Sequence, residues 1–243
     1  MTPATPTVAH YDGQDLEALA DLERYTTWIL EHFSPHLRGR VLEVGAGIGN
    51  VSARYLDQVD EALLVEPAVN LHHRLAQRFA DRAQVTTSCS LLEDLDPALT
   101  RQPFDAAILV NVLEHIPNDE ATLRRLHSLL RPGGAVLLFV PALPWLFGSL
   151  DTLVHHVRRY TRPELEAKLL AAGFAVELLR YFDVLGIAPW FIAGKVLRQR
   201  HFDPRGARLY DRFGVPATRW LEQRVVPPIG KSLVAIGVRR EPP

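Results

Sequence analysis

The sequence predicts an α/β fold built on a doubly wound, mostly parallel sheet, and three observations carry that expectation. Short apolar runs alternate about five times with segments of helical periodicity, the pattern of strands joined by helical crossovers. The runs are apolar at nearly every position, as in Phe104-Asp105-Ala106-Ala107-Ile108-Leu109-Val110-Asn111, which fits strands covered on both faces. The first run, Val41-Leu42-Glu43-Val44, passes straight into the turn Gly45-Ala46-Gly47-Ile48-Gly49. Glycines there let the backbone turn tightly and come close to a neighbour, since no Cβ stands in the way.

The bulk numbers are those of an ordinary globular chain. At 243 residues there is material for one large domain with an elaboration. Apolar residues make up 47% and charged residues 23%, with a formal net charge of -1, so no global field favours nucleic acid. The single cysteine, Cys89, rules out an internal disulfide. Met1 to Pro6 is polar and proline-broken, without the basic and apolar regions of a signal peptide. The uncharged run Pro132 to Leu150 is punctuated by Pro132, Gly133, Gly134, Pro141 and Pro144, which reads as strand and loop instead of a membrane span. A cytoplasmic location is expected.

Taken in order, Asp15 to Leu37 reads as a helix, with Leu16, Leu19, Leu22, Trp28, Ile29 and Phe33 at helical spacing. Tyr25 and Trp28 either cap a site mouth or simply pack on the sheet. Pro35 and Gly39 turn the chain into the first strand. Beyond the glycines a helix begins over Val51 to Leu56, and Ala62 to Val65 is a second strand ending at Glu66. Helix Val69 to Phe79, strand Gln84 to Ser88, strand Phe104 to Asn111 and helix Asp119 to Leu130 follow. Arg131-Pro132-Gly133-Gly134 is read as the stop of that helix, before a fifth strand from Ala135 to Val140. Thr161-Arg162-Pro163-Glu164 is a capping box opening a helix that Gly173 closes. Phe174 to Tyr181 and Ser232 to Val238 are the last two strands. The division expected is an N-terminal helical cap over 1–38, a core over 39–181 with 232–243, and an insertion over 182–231, too long for a hairpin.

Two ligand classes use a glycine turn of this kind, dinucleotides and S-adenosylmethionine. The dinucleotide fingerprint places its third glycine where Asn50 stands here. Glu66 lies about twenty residues past the turn, where a carboxylate at a strand end can accept hydrogen bonds from both ribose hydroxyls of an adenosine.

Four motifs together resemble class I S-adenosylmethionine-dependent methyltransferases of the small-molecule type: Glu43-Val44-Gly45-Ala46-Gly47-Ile48-Gly49, Glu66, Asn111-Val112-Leu113-Glu114-His115-Ile116 and Leu130-Arg131-Pro132-Gly133-Gly134. The resemblance spans roughly Gly39 to Val140 and implies a seven-stranded sheet, Rossmann-like, with its last strand antiparallel. It implies S-adenosyl-L-methionine as cofactor and S-adenosyl-L-homocysteine as product. Gly45, Ala46 and Gly47 would back the methionine part and Glu43 would meet its ammonium, directly or through water. Glu66, with Pro67 beside it, would hold the ribose, and Asn111 would approach the methionine end, with Val112 and His115 near the sulfonium side. Where the family carries an acidic residue for the adenine amino group, this chain has Ser90 and Leu91, or Glu93 if the alignment slides. A serine hydroxyl accepts such a bond less strongly than a carboxylate.

Methyl transfer is an in-line displacement, so positioning the acceptor is the enzyme's main task, and a base is needed only for a poor nucleophile such as a hydroxyl. The loop after the fifth strand holds Trp145, Asp151, His155, His156, Arg158, Arg159 and Tyr160. Similar methyltransferases of unassigned substrate carry a comparable D…H-x-R-R-Y-T stretch. His156 and His115 are the candidate catalytic residues, and Trp145, Arg158, Arg159 and Tyr160 the candidate acceptor contacts. The two guanidiniums suit an anionic acceptor. The other reading is that these groups shape the loop, Asp151 pairing with an arginine. One cysteine and no second ligand pair leave His155 and His156 short of a zinc site, so no metal is expected.

Nucleic-acid methylation is disfavoured: no N/D-P-P-Y/F segment follows the fourth strand, and Cys89 stands in the wrong place for a nucleophile. The insertion opens with the apolar stretch Val184 to Gly194, and Arg198, Arg200, His201, Arg205 and Arg208 follow. It covers a sheet edge, roofs the acceptor, forms an interface or touches an anionic membrane, the last being the less favoured. The reading preferred is methyl transfer to O or N of a small metabolite, for which the two arginines admit an anionic acceptor. The alternatives are a membrane-associated lipid or glycolipid acceptor, and a non-catalytic partner protein that binds the cofactor. A nicotinamide oxidoreductase is opposed by Asn50 and the N-V-L-E-H-I segment.

Overall fold

A computed structural model describes residues 11, 22–201 and 203–240. Helix α1 (Glu23–Phe33) leads through one 3-10 turn into strand β1 (Arg40–Val44), the glycine turn and the short helix α2 (Ser52–Tyr55). Then come β2 (Glu61–Val65), α3 (Val69–Arg78), β3 (Val85–Ser88), β4 (Phe104–Val110), α4 (Asp119–Leu129) and β5 (Leu130–Pro141). After β5 run α5 (Ser149–Leu153), α6 (Arg162–Ala171), β6 (Phe174–Phe182), α7 (Ile187–Phe191), α8 (Pro204–Leu209), α9 (Val215–Glu222) and β7 (Ser232–Arg239).

The seven strands form one sheet in the order β3-β2-β1-β4-β5-β7-β6. Strand β7 is antiparallel to both β5 and β6, and the other neighbouring pairs are parallel. The expected doubly wound sheet with an antiparallel last strand is therefore present. Alternate residues of each strand feed opposite cores, as they must when side chains alternate across a pleat. Leu42, Val44, Leu63 and Leu109 belong to one buried cluster, and Val41, Leu64, Ile108 and Phe139 to the other.

Two boundaries differ from expectation. The first helix has its α-helical part at Glu23–Phe33, because Pro35 cannot donate to the helix and a 3-10 turn, Ser34–His36, replaces it. Leu16 and Leu19 lie outside the described residues. The second difference is the Arg131-Pro132-Gly133-Gly134 segment, which belongs to β5 instead of ending a helix in a loop. Phe104 pairs with Leu130 but Ala106 with Ala135, so the segment bulges opposite Asp105. A Cβ at Gly134 would stand 2.9 Å from the Arg131 carbonyl and 3.0 Å from that of Asp105, so only glycine fits.

Between β6 and β7 the chain passes through α7, a π turn over Ile192–Val196, α8 and α9. Tyr25 and Trp28 of α1 pack inward: Trp28 lies against Phe182 with ring centroids 3.8 Å apart, and Tyr25 donates to the Asp183 carboxylate at 3.1 Å. Both side chains belong to the core on that side of the sheet.

Candidate active site

The carboxyl ends of β3, β2, β1 and β4 lie side by side, so the residues just beyond them form a row in that order: Ser90 and Leu91, Glu66 and Pro67, Gly45 to Gly47, Asn111 and Val112. Four neighbouring strands span roughly 14 Å at about 4.8 Å each. That row is long enough for an extended adenosine with an amino-acid tail.

The row is tied together by hydrogen bonds. Gly45 and Ala46 donate their amides to the Val65 carbonyl at 2.8 and 3.0 Å. Glu66 accepts from the Gly47 amide at 2.8 Å on one oxygen and from the Ala68 amide at 2.9 Å on the other. Each carboxylate oxygen keeps a second lone pair, which is what two ribose hydroxyls require. Burial pushes the Glu66 pKa up, against the two amides, which favour the ionised form.

The glycines answer specific neighbours. Gly45, Gly47 and Gly49 all have positive φ. A Cβ on Gly45 would stand 2.5 Å from Val112 Cγ2, and one on Gly49 2.4 Å from the Phe79 ring. The close approach of the turn to the β4 loop thus needs the first glycine, and packing on α3 the third. Asn111 adopts φ +54 at the end of β4, with its amide donating to the Phe139 carbonyl at 2.8 Å. This left-handed kink carries Val112 toward the turn.

Glu43 points beneath the turn. Its Oε2 accepts from Ser52 Oγ at 2.6 Å and Tyr55 OH at 2.7 Å, both on α2. Burial pushes its pKa up to about 7, while the two hydroxyl donors hold it down. Sequence reasoning missed Ser52 and Tyr55; their spacing of three puts both on the helix face toward β1, the one signal available. Ser90 Oγ is 2.9 Å from Ser88 Oγ, and Leu91 is exposed.

The second cluster lies past β4 and β5. Asp151 Oδ1 bonds His156 Nδ1 at 2.9 Å and accepts from Arg159 Nε at 2.7 Å, and Asp151 Oδ2 accepts from the Gly148 amide at 2.9 Å. Burial alone would raise the Asp151 pKa, but these partners bring it below the ordinary value, so it stays ionised. His156 Nε2 sits 3.5 Å from Glu114 Oε1, and its ring is 4.8 Å from that of His115. Glu114 is fully buried with no hydrogen bond to its carboxyl oxygens, and burial pushes its pKa up to about 8.

Glu114, His115 and His156 are also, among the described residues, the one group whose ligand atoms gather, all within 4.8 Å of one another. A tetrahedral ion with bonds near 2.1 Å holds its ligands only about 3.4 Å apart. As arranged, the three form a polar cluster that would have to close to grip a metal.

The structure gives the residues expected at the acceptor partners within the protein. Arg159 is buried, with Nε on Asp151 and a terminal nitrogen on the Ala142 carbonyl at 2.9 Å. Arg158 lies 2.7 Å from both Asp119 Oδ2 and the Pro117 carbonyl. Tyr160 is fully buried and donates to Asp119 at 2.8 Å. Each thus has a carboxylate partner, Asp151 for Arg159 and Asp119 for Arg158 and Tyr160. Trp145 is exposed, with its ring 6.2 Å from Phe191 of α7. A cavity of about 420 Å³ lined by Arg40, Glu61 and Gln84 lies at the amino ends of the strands, away from both clusters.

Comparisons with known proteins point to one family. The model of a family described as a methyltransferase domain matches residues 16–179. The chain is 33% identical over 182 residues to the ubiquinone biosynthesis O-methyltransferase of Xanthomonas axonopodis pv. citri (strain 306), covering 66% of this chain and 73% of that protein. It is 27% identical over 152 residues to the hybrid PKS-NRPS synthetase ucsA of Acremonium sp, of which it spans only 4%. Among solved structures, Burkholderia thailandensis 1,6-didemethyltoxoflavin-N1-methyltransferase, with bound 1,6-didemethyltoxoflavin and S-adenosylhomocysteine, superposes with a TM-score of 0.58. That pair is 20% identical, over 94% of this chain and 82% of the other, a likeness of fold.

Proposed function

This chain belongs to the methyltransferase-domain family, and from that premise we propose that it methylates a hydroxyl oxygen, or a nitrogen, of a small molecule with His156 as general base. S-adenosylmethionine is the methyl donor, and it supplies an electrophilic methyl group on a sulfonium. Everything else falls to the chain's own residues. Glu66 and Pro67 hold the ribose, Ser90 and Leu91 receive the adenine, and Gly45 to Gly47 lie under the amino-acid tail. Glu43 faces the ammonium from below the turn, and Asn111 and Val112 close the side toward β4.

The observation that carries the acid–base part is the 2.9 Å bond between Asp151 and His156 Nδ1. An ionised carboxylate on Nδ1 keeps the proton there and leaves the Nε2 lone pair to take one from an acceptor hydroxyl. His115, whose ring is next to that of His156, is the second group able to handle that proton. A nitrogen acceptor that is already nucleophilic needs neither. With Arg158 and Arg159 paired to carboxylates, nothing in the loop demands that the acceptor be anionic.

The test is a screen of hydroxyl and amine metabolites with cofactor labelled in the methyl group, repeated with His156→Ala. Label transfer to a hydroxyl acceptor that the variant loses supports the reading. Transfer undiminished by the variant removes His156 from the chemistry.

A further inference from the structure

The long helix of the 182–231 segment carries a second, outward apolar face edged with arginine, and we propose that this face docks the protein on an anionic lipid surface. The inference does not depend on which acceptor is methylated.

Pro204 to Glu222 is one continuous helical stretch, in which a π turn, Tyr210–Gly214, joins α8 to α9. Its inner face is Asp211, Val215, Thr218 and Glu222, at i, i+4, i+7 and i+11, and all four are buried. Asp211 accepts from the Arg24 and Tyr25 amides of α1, and Glu222 from the Val184 amide. Two residues out of phase with that face, about 200° round the helix, stand Leu209, Phe213 and Trp220, at i, i+4 and i+11. They are 62%, 60% and 57% exposed. The helix therefore satisfies its core with one face and turns an apolar stripe outward with the other. Ile192 and Val196, also at i and i+4, add exposed apolar side chains on the preceding helical turn. Of the seventeen exposed large apolar residues recorded among the described residues, eleven fall in this segment.

Charge selects the occupant. Arg205, Arg208 and Arg212, at i, i+3 and i+7, form an exposed strip beside the stripe. The segment has nine lysines and arginines against four acidic residues. Asp183, Asp211 and Glu222 are buried, and Asp203 caps α8 by accepting from the Arg205 amide. The outward surface is thus apolar and basic, the pattern of a helix lying in the boundary of an anionic bilayer with arginines on the phosphates. A two-fold copy of the chain would bring the strip against itself, with Asp203, already bonded to the Arg205 amide, as the segment's one exposed carboxylate. The contact is one of lying on the surface: no helix among the described residues is long and apolar enough to cross a membrane.

The test is co-sedimentation of the full chain with vesicles of phosphatidylcholine and phosphatidylglycerol in equal parts, against phosphatidylcholine alone. Partition into the anionic vesicles should exceed that into the neutral ones at least ten-fold and fall with added salt. Phe213→Glu should reduce it at least ten-fold, and Phe213→Ala several-fold, with cofactor binding by calorimetry unchanged in both. The inference is overturned by no partition of the wild type, by equal partition into both vesicle types, or by partition that neither variant alters. It is also overturned if gel filtration gives a wild-type dimer that Phe213→Glu splits, which would assign the stripe to a second copy.

Discussion

Glu66 accepts a hydrogen bond from the Gly47 amide at 2.8 Å, so the acid at the end of one strand is tied to the turn at the end of its neighbour. The same carboxylate that is read as the ribose ligand thus also shapes the backbone under the methionine tail. Glu66→Ala should weaken S-adenosylmethionine binding by roughly 1–3 kcal/mol, the cost of unpaired buried groups. Glu66→Gln, which retains acceptor capacity, should lose less. Calorimetric titration of both variants checks the order.

Gly45→Ala places a methyl group 2.5 Å from Val112 Cγ2 on a backbone with φ +71. The left-handed backbone alone costs about 1–2 kcal/mol, or roughly 2–8 °C in melting temperature for a chain of this size. Adding Val112→Ala should restore part of the loss, because it removes the clash and leaves the strain. Thermal melts of the single and double variants would show it, and additive losses would contradict the contact.

Burial pushes the Glu43 pKa from 4.5 up to about 7, against hydrogen bonds from Ser52 and Tyr55. The folded chain therefore binds that proton more tightly than the unfolded chain, and stability falls as pH rises from about 4.5 to 7, then levels. Glu114, pushed up to about 8 by its burial, adds a slope of the same sign. Glu43→Gln should flatten the slope in part, read from denaturant melts across this range. If Glu43 faces the cofactor ammonium, affinity should climb with pH up to about 7, by at most about ten-fold per unit. The glutamine variant should lose that climb.

His156→Ala should lower turnover of a hydroxyl acceptor about 10²–10⁴-fold, the usual contribution of a positioned base. Cofactor affinity should stay within a few-fold, since His156 lies beyond the row that would hold it. An amine acceptor separates the roles: its turnover should survive in the variant if His156 serves only to take a hydroxyl proton, and fall alongside if it only braces the loop.

Asp183 joins the segments around it: it accepts from Tyr25, from the Gly186 amide at 3.1 Å and from Tyr210, and sits 2.9 Å from the Lys231 ammonium. Removing this buried charge strands its partners, at a cost of about 3–5 kcal/mol. Asp183→Ala should therefore show early proteolytic cleavage within 182–231, read by limited digestion and mass mapping.

The sheet was legible because its signal is local. The apolar runs, the glycine turn and the capping box at Thr161 each name an element within about ten residues, and the strands fall close to where they were expected. The adjacency within the row was legible for a related reason: Gly45 to Gly47, Glu66, Ser90 and Asn111 all sit at strand ends, which the topology must bring side by side. The acceptor loop was not. Whether Arg158 and Arg159 are available depends on Asp119 and Asp151, whose distance in space no spacing reveals. In the sequence Glu114 is only one letter of a motif, and its burial beside His156 follows from packing between β4 and the loop after β5. Asp183 and the outward stripe of Leu209, Phe213 and Trp220 likewise emerge only once the helix is docked on α1.

The most direct test of the whole account is calorimetry of the purified chain with S-adenosylmethionine. Saturable one-to-one binding that Glu66→Ala weakens is the predicted result. No detectable heat from that compound, together with tight uptake of NADH, would contradict the assignment of the row at the strand ends.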